Sequence, residues 1–180
     1  MKILAVIDMQ NDFITGPLGT EEARAIVPNV IRKVAETKLD ENTRVVFTQD
    51  THSLDYLDTA EGEALPVPHC ISRTPGWCLI SELREYAHSY NTIYKNAFGT
   101  LSWHASLPIE DIEDLTEIEI IGVCTDICIV SNALILKATF PEIPITVDAS
   151  CCAGTTPEMH KKALDVMKSC QIKVINEGEA

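Results

Sequence analysis

A chain of 180 residues with 46% apolar and 23% charged side chains can bury a substantial core and reads as one globular unit spanning residues 1–180. Its formal charge of −13 argues against nucleic acid or an anionic membrane as partner, since both need a basic surface. No apolar run approaches the roughly 20 residues of a membrane span. The opening run Ile3-Leu4-Ala5-Val6-Ile7 is too short for a leader core and stops at Asp8, so a cytoplasmic location is expected. Seven cysteines, an odd number, are then expected to be reduced thiols, with Cys151, Cys152 and Cys170 as small buried apolar residues.

The chain alternates β-rich apolar runs with helical patterns. Strands are predicted at Ile3–Ile7, Arg44–Thr48, Thr92–Tyr94, Ile118–Val123, Ile145–Val147 and Ile172–Ile175. Val27, Val30, Ile31 and Val34 fall at helical spacing, with Pro28 in a first turn. Leu79, Leu83 and Tyr86 suggest a second helix, and Ile127 to Ala138 a third that is apolar nearly all round and therefore buried. Thr155 and Thr156, followed by Pro157 and Glu158, mark the start of the last helix. Six strands with intervening helices imply an α/β fold: a doubly wound, mostly parallel sheet with helices on both faces. Right-handed crossovers place all strand carboxyl ends on one rim, so Asp8, Asp50, Lys95 and the Cys124–Cys128 segment converge there. The connection from Thr51 to Pro75 is too long for a bland loop and is expected to build part of the site.

A carboxylate, a lysine and a cysteine at three strand ends make an activated thiol. Cys128 lies just inside a predicted helix, whose N-terminus is expected to lower the thiol pKa and whose free N–H groups can hold an oxyanion. Asp8 can take the thiol proton, and Lys95 can stabilise the resulting charge. Cys124 competes for the nucleophile role, although its place at a strand end suits a small buried residue better. Asp50-Thr51-His52 places a carboxylate and an imidazole two positions apart, and His69 follows on the long connection with Glu61 between. A carboxylate plus two histidines suits Zn²⁺, Mn²⁺ or Fe²⁺. The bland alternative makes Asp50 a turn cap and both histidines solvated loop residues.

These separate motifs together resemble the cysteine-hydrolase branch of the isochorismatase-like family, and within it the nicotinamidases. The likeness covers nearly the whole chain. Asp8 in Val6-Ile7-Asp8-Met9-Gln10-Asn11-Asp12-Phe13, Lys95 after Tyr94, and Cys128 in Gly122-Val123-Cys124-Thr125-Asp126-Ile127-Cys128 match the family triad. The resemblance implies a cis peptide between Val123 and Cys124, with the N–H groups of Cys124 and Cys128 facing an oxyanion. It also implies that Asp50, His52 and His69 are metal ligands, most often for Zn²⁺, with Glu61 or its neighbour Glu63 as a fourth. Phe13 matches a substrate-flanking aromatic, and Phe98 is expected beside it; for Phe98 and Trp103 core packing is the equal alternative. The activity so implied is hydrolysis of nicotinamide to nicotinate and ammonia through a cysteine thioester, a step of NAD salvage, with self-association also expected. Two other readings stay open: the same chemistry on another small amide or carbamoyl substrate, and a non-catalytic metal-binding or oxidant-sensing protein.

Overall fold

The computed structural model describes residues 1–107 and 112–178. Its centre is one six-stranded sheet built from β1 (Lys2–Ile7), β2 (Thr43–Asp50), β3 (Thr92–Lys95), β4 (Glu117–Val123), β5 (Ile145–Ala153) and β6 (Lys173–Ile175). The order is β3-β2-β1-β4-β5-β6, and every neighbouring pair is parallel. The chain winds outward from β1 to β3 and then crosses back to β4 on the other side of β1. That reversal leaves a crevice at the carboxyl ends of β1 and β4, where open α/β sheets bind ligands.

Alternation along the strands loads both faces. Ile3, Ala5 and Ile7 of β1 join Ile118 and Ile120 of β4 on one side, while Leu4 and Val6 join Ile121 and Val123 on the other. Described helices are α1 (Asn11–Ile14), α2 (Glu21–Glu36), α3 (Ala60–Ala64), α4 (Trp103–Ser106), α5 (Val130–Thr139) and α6 (Pro157–Ser169). Helix α2 buries Ile26, Val30 and Val34 against the Leu4 face. Helices α4, α5 and α6 cover the Ile3 face with Trp103, Leu136 and Met167. Each fully buried side chain of this size contributes roughly 1.5–3 kcal/mol of transfer free energy. Among the described residues no helix is long and apolar enough to cross a membrane.

The predicted cap of the last helix is present: the Thr156 hydroxyl accepts from the Met159 N–H at 3.2 Å, with Pro157 as the first helical residue. Thr20 caps α2 in the same way, and this moves the helix start upstream, so Pro28 lies inside α2 rather than in its first turn. Leu79, Leu83 and Tyr86 do not form a helix; only Ser81–Leu83 makes a single 3₁₀ turn. Leu79 and Leu83 are buried there all the same, because the segment is pinned along β1 by pairing of Gln10 with Leu79. Strand β5 runs far beyond Val147. A step of two residues on β4 (Ile120 to Gly122) faces a step of five on β5 (Val147 to Cys152), and this bulge holds Asp148 and Ser150. All seven cysteines are free thiols; Cys151 and Cys152 are buried as expected, but Cys170 closes α6 and is exposed.

Candidate active site

Three rim positions bring a carboxylate, an ammonium and a thiol together. Asp8 follows β1 in the left-handed region at φ 51°, a conformation that Asp tolerates better than most side chains. Gly122 of β4 lies so close to β1 that a Cβ would sit 2.1 Å from the Ile7 carbonyl oxygen, and its φ of +122° also requires glycine. The next peptide bond but one, Val123–Cys124, is cis. The chain then makes a wide π-type turn over Thr125–Ile129 that carries Cys128. Lys95 ends β3 and extends its ammonium inward, 2.7 Å from Asp8 Oδ2, 3.4 Å from Asp50 Oδ1 and 3.6 Å from Cys128 Sγ. The Thr48 hydroxyl donates to the other Asp8 oxygen at 2.6 Å.

Burial decides how these groups titrate. Asp8 is fully buried, which raises its carboxyl above the ordinary 3.8; the Lys95 ammonium pulls the other way, and the Asp50 charge adds to the rise. Burial alone would lower Lys95, but the Asp8 carboxylate, with the Cys128 sulfur and the Asp50 carboxylate also around it, holds it above its usual value. The Cys128 thiol is pushed well up, first by burial and then by Asp8. This corrects the expectation from its helical position. The turn does not poise a thiolate at rest, so the thiol needs a base within reach to give up its proton. Burial pushes the Cys124 thiol up to about 12, with Asp126 and Asp8 adding to the rise.

A second group adjoins the first through Asp50, the last residue of β2. Asp50, His52, Glu61 and His69 each offer one ligand atom, and these atoms lie within 4.8 Å of one another. His52 Nε2 is 2.9 Å and His69 Nε2 is 3.4 Å from Asp50 Oδ2, while Glu61 Oε1 lies 3.6 Å and 3.7 Å from the same two nitrogens. His69 Nδ1 meets the Val67 carbonyl at 2.8 Å. A carbonyl only accepts, so Nδ1 carries the proton and Nε2 presents its lone pair inward, the arrangement metal-ligating histidines need. Two imidazoles and two carboxylates at this spacing fit a divalent transition ion. Of the two glutamates on α3, which Thr59 caps, Glu61 lies toward the histidines with its side chain 21% exposed, while Glu63 is exposed.

Both groups open onto one cavity of about 320 Å³, lined by Phe13, His69, Phe98, Cys124, Ile127 and Cys128 among others. Phe13 is buried and packs its ring 5.5 Å from that of His69, whereas Phe98 is 48% exposed at the rim. Trp103 is elsewhere: it is core, 1% exposed, with its indole N–H on Asn132.

Several supporting residues carry no signal in a single sequence. Gln10 brackets Asp50, its Oε1 accepting from the Asp50 N–H and its Nε2 donating to the Asp50 carbonyl. Asp12 accepts from the Cys70 N–H and so fixes the chain beside His69. Tyr56 stacks edge-on with both histidines and donates to the Leu65 carbonyl. Gln10 and Asp12 sit in the first motif, so their nearness to Asp8 was the one available hint.

The sequence profile of the Isochorismatase domain matches residues 2–178. The nicotinamidase of Schizosaccharomyces pombe is 26% identical over 98% of this chain and 93% of its own length. A probable inactive nicotinamidase of Arabidopsis thaliana is 31% identical over 94% of this chain and 89% of its own. Among solved structures, the pyrazinamidase of Pyrococcus horikoshii in complex with zinc superposes with a TM-score of 0.77 at 26% identity, covering 97% of this chain and 98% of that one.

Proposed function

The chain belongs to the isochorismatase family, and from that membership we propose that it is an amidohydrolase acting on nicotinamide, with Cys128 as nucleophile, Asp8 as base and acid, and Lys95 as the balancing charge. The observation that carries the reading is the Lys95 ammonium held 2.7 Å from Asp8 and 3.6 Å from Cys128, whose side of the trio lines the cavity. A buried thiol of raised pKa is inert until a neighbour removes its proton, and Asp8, paired with the same Lys95 ammonium that reaches the sulfur, is the carboxylate placed to do so. The proton passes from Sγ to Asp8, and the thiolate adds to the amide carbonyl while Lys95 offsets the charge. The oxyanion falls to the N–H groups of Cys124 and Cys128; each such donor is worth about 10²–10³ in rate. Asp8 returns its proton to the amide nitrogen, the C–N bond breaks, and ammonia leaves a thioester on Cys128. Asp8 then takes a proton from water as its oxygen attacks the thioester, releasing the acid and restoring the thiol.

Asp50, His52, Glu61 and His69 are the residues that would hold a divalent ion, most suitably Zn²⁺. When bound, such an ion supplies a Lewis-acid anchor for a heteroaromatic nitrogen beside the carboxamide. Phe13 would flank a flat ring in this cavity, and among the described residues that line it none is a lysine or arginine that would favour an anionic substrate. The product would be nicotinate, which suits a place in NAD salvage within the cytoplasm.

The test is ammonia release from nicotinamide, pyrazinamide and a panel of other small amides and carbamoyl compounds, with mass spectrometry of the protein during turnover. The expected result is release from nicotinamide, an acyl mass shift on Cys128, and loss of both in Cys128→Ala with metal content unchanged. Release from other amides alone would keep the chemistry and replace the substrate. No acyl adduct and no release from any compound would leave a metal-binding or thiol-sensing protein.

A further inference from the structure

Strand β3 is four residues long, lies at the sheet edge and pairs only with β2, yet it delivers Lys95. The strand leading to Cys128, β4, is three strand spacings away, about 14 Å of backbone separation. Lys95 is held on its own side by strand pairing with Asp50 and by the ion pairs with Asp8 and Asp50. The 3.6 Å contact with Cys128 Sγ therefore depends further on how the turn carrying Cys128 is fixed to the chain after Lys95. That chain leaves the sheet edge and crosses to α5, where it meets Asn132.

Asn132 is fully buried on the core side of α5 beside Ala133 and Leu136, and it uses every hydrogen-bonding capacity it has. Its Nδ2 donates to the Cys128 carbonyl at 2.8 Å and to the Phe98 carbonyl at 3.1 Å. Its Oδ1 accepts from the Thr100 N–H at 3.1 Å and from the Trp103 indole N–H at 3.0 Å. The backbone between these contacts sits flush on the helix: a Cβ on Gly99 would fall 2.5 Å from Ile135 Cδ1. Packing alone would be served by an apolar residue of the same size, so the amide is there for what it ties together. Phe98 shows why this matters. Its ring is 48% exposed, so its own packing holds it weakly, and its place in the cavity wall is set by the backbone that Asn132 grips.

We propose that Asn132 is a positioning residue that locks the turn carrying Cys128 to the loop running from Lys95 to the cavity wall. One amide thereby sets the spacing of nucleophile, ammonium and substrate-facing aromatic. The turnover part of this inference rests on the amidohydrolase reading; the thiol-reactivity part does not.

The experiment compares wild type with Asn132→Leu, which removes all four bonds, and Asn132→Asp, which keeps the shape and the two accepted bonds. Three quantities are read: the alkylation rate of Cys128 by iodoacetamide across pH, bound zinc, and KM and kcat on the best amide. In Asn132→Asp the alkylation rate is expected to change at least fivefold and KM to rise about tenfold, at unchanged zinc content; Asn132→Leu should exceed both. Asn132→Asp decides the matter if Asn132→Leu does not fold. Phe98→Ala should raise KM by itself and add nothing when combined with Asn132→Asp. A drop in thermal stability with alkylation and KM within twofold of wild type would overturn the proposal, as would additive effects in the double variant. Wild type that hydrolyses no amide, with alkylation still shifted in the variants, would fail the amidase reading and leave the positioning role standing.

Discussion

Two largely buried clusters of opposite charges stand out among the described residues, and only the one at the rim places a thiol on the wall of the cavity it adjoins. At the carboxyl rim, Lys95 stands among Asp8, Asp50 and the Cys128 thiol. Beneath α2, Lys33 stands between Glu119 and Asp148. Both are charges in a poorly solvated setting, which is costly unless partners are well placed. The second cluster is closed in its hydrogen bonding, although Lys33 and Glu119 border a groove: Asp148 also accepts from the Ser150 hydroxyl at 2.7 Å and from Asn176 at 3.0 Å, and Lys2 reaches Glu119 as well. The first is left open, since its thiol and the adjoining ligand set form part of a cavity wall. A buried ion pair alone therefore says little about function. A nucleophile beside it and space for a substrate give it meaning.

The opposite titration of two aspartates sharpens this contrast. Asp8 is raised above 3.8 by burial, so the folded protein binds its proton more tightly than the unfolded chain. Stability from Asp8 is fullest at low pH and declines as pH rises through that raised value. Asp148 is buried too, but hydrogen bonds from Lys33, Ser150 and Asn176 outweigh burial and hold it below 3.8. Its stability is full above about pH 4 and is lost as pH falls through the depressed value. Within the reactive cluster Asp8 gives up stability at neutral pH in the place of the proposed base, whereas Asp148 gains from staying charged.

The largest expected effect follows from removing that base. Asp8→Asn should lower kcat/KM by about 10²–10⁴, the range attributed to general acid–base catalysis, with zinc content retained. In wild type, the acid limb of the kcat/KM profile should lie above the ordinary carboxylate range, because only ionised Asp8 can accept the thiol proton. An unchanged rate in the variant would assign the base elsewhere. Next in size is His69→Ala, which deletes a proposed ligand whose orientation the Val67 carbonyl sets. Its zinc affinity should fall by more than the ~10–100-fold typical of losing an outer partner alone. Equilibrium dialysis measures this, and retention of wild-type affinity would remove His69 from the ligand set.

Much of the rim was legible in the sequence because apolar runs ending in a polar residue signal both the strand and the place where it stops. Asp8, Lys95 and the Gly122–Cys128 segment follow from that rule with only parallel winding assumed. The closed cluster was not legible. Asp148 and Ser150 interrupt the apolar run after Val147, and period-two reading stops there; only the bulge against β4 and the partners from α2 show that β5 continues. The helix expected through Leu79 and Tyr86 failed for a related reason, since buried residues at helical spacing also arise in a loop pinned against the core. Glu61 could be separated from Glu63 only by its place on α3 toward the histidines, and the roles of Gln10 and Asn132 depend on contacts that spacing does not encode.

The closed cluster supplies the smaller predictions. Lys33→Met leaves Glu119 and Asp148 without their shared partner and should cost about 2–3 kcal/mol, the lower side of values for broken buried pairs because Lys33 is 23% exposed. Urea unfolding measures this, and turnover per folded molecule should stay within twofold of wild type. A large loss of turnover would show that the two clusters communicate and erase the distinction drawn between them.

Smallest of all is the effect of ion pairs that lie in water. Lys162 and Glu158 are one helical turn apart on α6, 2.7 Å from each other, with side chains 62% and 76% exposed. Solvent screens such a pair and ordering two long side chains opposes it, so Glu158→Ala should change stability by no more than ~0.5 kcal/mol. Glu158 also lies in the first turn of α6, where a negative charge favours the helix N-terminus, and salt screens that contribution as it screens the pair. The same unfolding series run at low and at 1 M salt separates Lys33→Met from Glu158→Ala: the first loss should survive added salt and the second should largely vanish. If both losses faded together, Lys33 would have to be treated as a solvated charge and its cluster as a surface feature.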